Sequence, residues 1–136
     1  MQFAIKVHVR DPRAPTFVFK AQKTMYGGKR VAVGDFIFIF DSENEGGVGL
    51  FARGVVTHAA PTPRTPGVAR QTPRVSVSIK RTGLSKQALG RSTLKAFSNW
   101  KDRRPQTELN FKLYRQATNK IVGLSDSTAA FLAGLF

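Results

Sequence analysis

Apolar and polar positions alternate near the start of the chain, where Phe3, Ile5, Val7 and Val9 are separated by Ala4, Lys6 and His8. A period of two is the repeat of a strand with one face buried and the other in water. A half-buried strand is therefore expected there, with His8 on its polar face. Asp11-Pro12-Arg13-Ala14-Pro15 enforces a turn, and Thr16 to Lys20 reads as a short second strand. Ala21 to Val33 carries Gly27-Gly28 and has no clear period, as a loop or short helix would. Gly34-Asp35 then introduces Phe36 to Phe40, a β-prone apolar run that suits a strand covered on both faces.

Asp41 to Gly47 reads as a polar, solvated hairpin tip, and Val48 to His58 as the returning strand. Between Ala59 and Pro73 four prolines alternate with Thr and Arg, which predicts an exposed, mobile basic loop. Alternation resumes from Arg74 to Lys80. Thr82 to Trp100 reads as partly helical, anchored by Leu89, Leu94 and Phe97 and interrupted by Gly90. Arg103-Arg104-Pro105 breaks the chain, and Leu109, Phe111 and Leu113 mark a sixth strand. Ser125 is placed to cap a final helix carrying Ala129, Phe131, Leu132, Leu135 and Phe136. About six short strands with two or three small helices, in no regular alternation, predict a compact α+β barrel-like domain. The 136 residues suit a single domain, 1–136.

Composition adds one strong signal. Twenty-two Lys and Arg stand against eight Asp and Glu, a net charge of +14. The imbalance is localised: from Gly46 to Lys101 there is no acidic residue and ten cationic ones. A folded domain under such self-repulsion points to a polyanionic partner, DNA or RNA, more than to a partnerless basic protein or a membrane surface. No basic amphipathic helix long enough to lie in an interface is evident. The longest apolar run, Phe36 to Phe40, is too short to span a bilayer, and no signal peptide is read at the N-terminus. Cysteine is absent, which excludes disulfides and thiolate metal sites; a reducing cytoplasm is the default compartment.

Catalytic constellations fail on inventory. No Ser sits in a Gly-x-Ser-x-Gly elbow to serve His8 or His58. The acidic run from Asp41 begins like a calcium loop, yet its twelfth position is Ala52. Gly46-Gly47-Val48-Gly49 precedes a strand, not a helix, so turn geometry explains it better than a phosphate cradle. No cofactor or metal site is expected, and enzymatic activity is the weaker reading. Trp100, the single Trp, lies in Ser98-Asn99-Trp100-Lys101 beside Arg103 and Arg104. An indole face with an Asn99 amide and neighbouring cations meets the needs of a base-stacking pocket; the alternative is that Trp100 closes one end of the core. Arg53, Arg70, Arg74, Arg103 and Arg104 are candidate phosphate contacts.

Three segments also carry a resemblance. Phe17-Val18-Phe19-Lys20-Ala21, then Val31 through Phe40, then Val48-Gly49-Leu50-Phe51-Ala52-Arg53-Gly54-Val55-Val56 resemble, in order, the EVE and YTH branch of PUA-like domains. That resemblance implies a pseudo-barrel whose pocket accepts one flipped base, often modified (a cytosine or an adenine), between aromatic side chains. It also implies that Phe19, Lys20 and Ala21 lie near the pocket, with the strand after Gly49 as another wall. The Trp usual in the aromatic strand is Phe17 here. The Gly-x-Lys-x-x-Glu-x-Arg signature of the related ASCH branch is absent, which argues against RNA cleavage. The expectation is a nucleic-acid reader, acting alone or beside a separate nuclease. The rivals are a metal-dependent nuclease using Asp35, Asp41, Glu43 or Glu45, and a non-catalytic RNA-scaffold protein without a base pocket.

Overall fold

The computed structural model describes residues 1–136. Six strands close into one barrel: β1 (Gln2–Val7), β2 (Thr16–Met25), β3 (Phe36–Asp41), β4 (Gly49–Pro61), β5 (Arg74–Leu84) and β6 (Lys120–Leu124). Their order around the barrel is β1-β3-β4-β5-β2-β6. The β1–β3 and β2–β6 pairs are parallel and the other four antiparallel, so no edge is left open. Three short helices complete the fold: α1 (Arg91–Leu94), α2 (Pro105–Leu109) and α3 (Asp126–Ala133). No helix is long and apolar enough to cross a membrane.

Two apolar layers share the barrel wall. Phe3, Ile5, Ile37, Ile39, Val77, Ile79 and Ile121 point inward with Phe17 and Phe19. The alternate residues Ala4, Phe38, Phe40 and Val122 point outward and are roofed by Leu94, Leu109, Leu113 and Leu132. Strand β3 thus has both faces covered, as its unbroken apolar run predicts. Strand β1 does too, which corrects the half-buried expectation. The flank formed by Tyr114 covers Lys6, which is buried with its Nζ 5.1 Å from the Tyr114 ring centroid. Only His8, past the strand end, stays exposed.

Two further expectations fail for identifiable reasons. Leu109, Phe111 and Leu113 are not a strand. Pro105 opens α2, which runs directly into a π turn over Asn110–Tyr114, closed by the Arg115 amide donating to the Asn110 carbonyl at 2.8 Å. The pair that matters is Leu109 with Leu113, four apart and both fully buried; the alternation through Phe111 is incidental. The actual sixth strand, Lys-Ile-Val-Gly-Leu, has only five residues. The helical reading of 82–100 shrinks to the single turn of α1, because β5 runs on to Leu84. Ser125 does cap α3, accepting from the Thr128 amide at 3.3 Å.

The β3–β4 hairpin forms, with Gly46 (φ 86°) and Gly49 (φ 81°) supplying its left-handed turns. Its acidic tip is solvated at Asn44, Glu45 and Gly46, as expected, but is also docked through its carboxylates. Glu43 accepts from the Arg91 amide at 2.6 Å and from the Tyr114 hydroxyl at 2.9 Å, and Asn119 donates to Glu45 at 3.1 Å. Burial and the Glu43 carboxylate together push the Tyr114 hydroxyl well above its ordinary pKa.

Candidate nucleic-acid interface

The segment between α1 and α2 is a chain of pinned turns. The Phe97 carbonyl accepts from Asn110 Nδ2 at 3.1 Å, the Asp102 amide donates to the Asn99 carbonyl at 3.0 Å, and the Arg104 amide donates to Asp102 Oδ1 at 3.0 Å. Trp100 stands at the crest of these turns, 44% exposed and outside both core layers. Its ring meets Phe111 edge to face, centroids 5.4 Å apart. Phe111 meets Tyr26 at 5.6 Å, and the Arg115 guanidinium lies 4.0 Å from the Phe111 centroid. A π turn shifts the side chains after it by one residue relative to an α-helix, a device common at functional sites. Phe111 within that turn is half-buried, while Leu109 and Leu113 stay inside.

Beneath Trp100 opens a hollow of about 400 Å³, walled by Arg103, Arg104, Glu108, Phe111 and Ser125 among others. That volume lies within the range of small-ligand pockets. Glu108 fixes one wall. Both its oxygens are engaged, by the Ser125 amide (2.9 Å) and hydroxyl, the Thr128 hydroxyl (2.9 Å) and Lys112 Nζ (3.2 Å). Burial raises the Glu108 carboxyl, but these hydroxyl, amide and ammonium donors outweigh it and hold it below its usual pKa. Thr107 Oγ1 also lines the hollow, buried without a well-formed hydrogen bond. It faces the Asp102 carboxylate, which is held low first by that hydroxyl and then by the Arg104 amide.

Strained backbone flanks this site at two residues. Three non-glycine residues sit at left-handed φ: Ala21 (50°), Tyr26 (52°) and Arg103 (59°). Such a conformation costs on the order of 1–3 kcal/mol and clusters at functional sites. Tyr26 and Arg103 both flank the Trp100–Phe111 pair.

The remaining sequence candidates are dispersed. Phe19 is buried inside the barrel, its ring stacked on Phe17 at 5.9 Å, so its face is already covered. Lys20 is exposed and Ala21 half-buried, and none of the three lines the Trp100 hollow. Asn99 turns its Oδ1 to the Lys101 amide (3.3 Å) and stays outside the hollow. Arg53 stacks on Phe136 at 4.8 Å in a separate hollow near Phe36. Arg70 and Arg74 belong to the β4–β5 loop and its exit. Sequence reasoning missed Phe111, which the mistaken strand had hidden, and Tyr26.

The carboxylates of the nuclease reading are each occupied. Asp35 accepts from the Ala32 amide at 2.9 Å, Asp41 from the Val9 amide at 3.2 Å, and Glu43 and Glu45 as described. No three His, Asp or Glu side chains converge as metal ligands.

The closed mixed barrel with helices packed on its outer wall has the fold of a PUA-like pseudo-barrel. Solved structures share it along nearly the whole chain. The DUF55 domain of human thymocyte nuclear protein 1 superposes with a TM-score of 0.67 at 14% identity, covering 99% of this chain and 98% of that one. A crystal structure of a Pseudomonas putida protein gives 0.67 at 14% identity, covering 99% of both chains. Human THYN1 protein in complex with 5-methylcytosine-containing DNA gives 0.64 at 13% identity, covering 98% of this chain and 96% of that one. No family model matches the sequence, and no curated protein does.

Proposed function

We propose that this domain is a nucleic-acid reader that accepts a single flipped base, with a modified cytosine in DNA as the leading ligand, in the hollow beneath Trp100. The observation that carries the reading is the exposed indole braced on Phe111 above a cavity with two arginines at its rim. Exposed aromatic faces take unstacked bases, and adjacent guanidiniums take the flanking phosphates. The base would slide against Trp100, with the rigid Glu108–Ser125–Thr128 wall setting the depth of the hollow. Arg103 and Arg104 would hold the phosphates on either side of the flipped nucleotide. Arg104 is partly pre-set for this, stacked on Phe97 at 5.5 Å with its Nε 3.9 Å from Asp102. The DNA complex of the human THYN1 protein supports 5-methylcytosine as the first base to try. Arg70 and Arg74 would add phosphate contacts at a distance, and Arg53 chiefly long-range attraction.

The single Trp makes the test direct. Titrating the protein with oligonucleotides bearing one cytosine or one 5-methylcytosine should quench its tryptophan emission, more strongly with the methylated base. Tight binding that leaves the emission unchanged would remove Trp100 from the site.

A further inference from the structure

A second hollow, of about 550 Å³, lies between the β4–β5 loop and the end of β2. Lys23, Lys29, Arg64 and Arg74 line it together with three threonines, and no acidic residue does. The loop is built, not slack. Gln71 accepts from the Thr65 amide at 2.8 Å and donates to the carbonyls of Thr65 (2.8 Å) and Val68 (3.0 Å). The Pro73 carbonyl receives both the amide (3.0 Å) and the hydroxyl (2.7 Å) of Thr24.

Arg74 is aimed by strained backbone. Strand β2 bulges between Phe19 and Gln22. Within the bulge Ala21 is held at φ 50°, its amide on Ser76 Oγ (2.9 Å) and its carbonyl receiving the Arg74 guanidinium (2.9 Å). One of five guanidinium N–H groups is so used, and four remain to donate. Bulges characteristically re-aim side chains in this way.

Four cations held around one concavity repel one another, and a bound anion offsets that repulsion. A run of contacts leads from this hollow's lysines toward Trp100. Lys23 and Lys29 flank the Tyr26 turn, the Tyr26 ring lies against Phe111, and Phe111 against Trp100. We propose that the loop hollow binds the phosphodiester backbone of the same nucleic acid whose base enters the Trp100 hollow, anchoring it several nucleotides away. The assignment rests on the reader function proposed above.

The test pairs two variants of the full chain, Lys23→Gln with Arg64→Gln, and Trp100→Ala, in anisotropy titrations of labelled DNA carrying one 5-methylcytosine over a range of salt. The double variant should lower the log–log salt slope by about two units, one per lost phosphate contact, and keep the preference for the methylated base. Trp100→Ala should do the reverse. A double variant with wild-type unfolding temperature and an unchanged slope overturns the proposal. If Trp100→Ala changes nothing while the double variant lowers the slope, the base pocket fails and the backbone site stands. Amide shifts on adding inorganic tripolyphosphate give a second readout. They should appear between Thr62 and Val75 and vanish in the double variant; tripolyphosphate shifts in a protein that binds no DNA would overturn the phosphodiester assignment.

Discussion

Trp100 and Phe111 meet edge to face at 5.4 Å with their planes inclined by 68°, and the indole is 44% exposed. The ring lies outside either core layer, so Trp100→Ala should lower unfolding free energy by only about 1 kcal/mol, the usual worth of one edge-to-face aromatic contact. Binding should lose about 1–3 kcal/mol, the usual worth of one base–aromatic stack. Phe111→Ala should weaken both, because Phe111 also braces Tyr26 and Arg115. Urea unfolding beside anisotropy titration separates the two effects. A Trp100 variant as unstable as the Phe111 variant would mean the indole is structural.

Buried lysines predict an unusual alkaline profile. Lys120 is 1% exposed, its Nζ donating to the Gln116 carbonyl at 3.2 Å. Burial first, then the charges of Lys6, Lys23 and Arg115, push its pKa down to about 8. Lys6 is lowered too, chiefly by burial. A lysine more acidic folded than unfolded binds fewer protons in the native state between its two pKa values. Stability should therefore rise from about pH 8 toward pH 10, before Tyr114 begins to ionise in the unfolded chain. Lys120→Met should flatten that rise and stabilise the protein at pH 7, by at most on the order of 3 kcal/mol. Denaturation midpoints at pH 7, 8, 9 and 10 check this; a flat wild-type profile would show that the native fold does not penalise the Lys120 charge.

Glu108 has the opposite sign. Its carboxyl is held below the ordinary value, so the stability it contributes is present above the unfolded pKa and disappears as pH falls through the folded one. Glu108→Ala strands four donors and should cost about 2–4 kcal/mol, with Glu108→Gln costing less because one acceptor remains. Thermal unfolding of the two variants at pH 7 and pH 3 tests the ranking. Equal losses at both pH values would mean that the charge is irrelevant.

Metal-dependent cleavage is the sharpest challenge to a binding-only reading. Asp41 accepts from the Val9 amide, and burial pushes its carboxyl upward, which suits a structural acceptor better than a metal ligand. Labelled RNA and DNA incubated with Mg²⁺ or Mn²⁺ should remain intact. Cleavage that Asp41→Asn abolishes would replace the reader with a nuclease.

Much of the barrel is legible in the sequence, and the failures share a cause. Alternation at Phe17–Phe19 and Val75–Ile79, and the solid run at Phe36–Phe40, report strands because local burial follows the backbone period there. Local burial misleads where tertiary cover intervenes. Lys6 looks solvated but is roofed by Tyr114, and Lys120-Ile121-Val122-Gly123-Leu124 is too short to stand out although every residue in it is buried. Trp100 with Arg103 and Arg104 is readable as a cluster because the three are neighbours in the chain. Phe111 and Tyr26 join it from other elements, the π turn and a left-handed turn, that no spacing of residue types announces. Phe19, expected near a pocket, lies on the inward face of its strand.

Strand β6 is the keystone of the circle. It pairs with β1 on one side and β2 on the other, so both strands wait for a segment that follows β5 in the chain. Until about residue 124 is synthesised, Phe3 and Ile5 have no closed interior to enter, and β1 and β2 each carry an unzipped margin. Slow, late closure is the expected kinetic signature of such long-range pairing, and that interval is when the nascent chain is most prone to stick to its own copies.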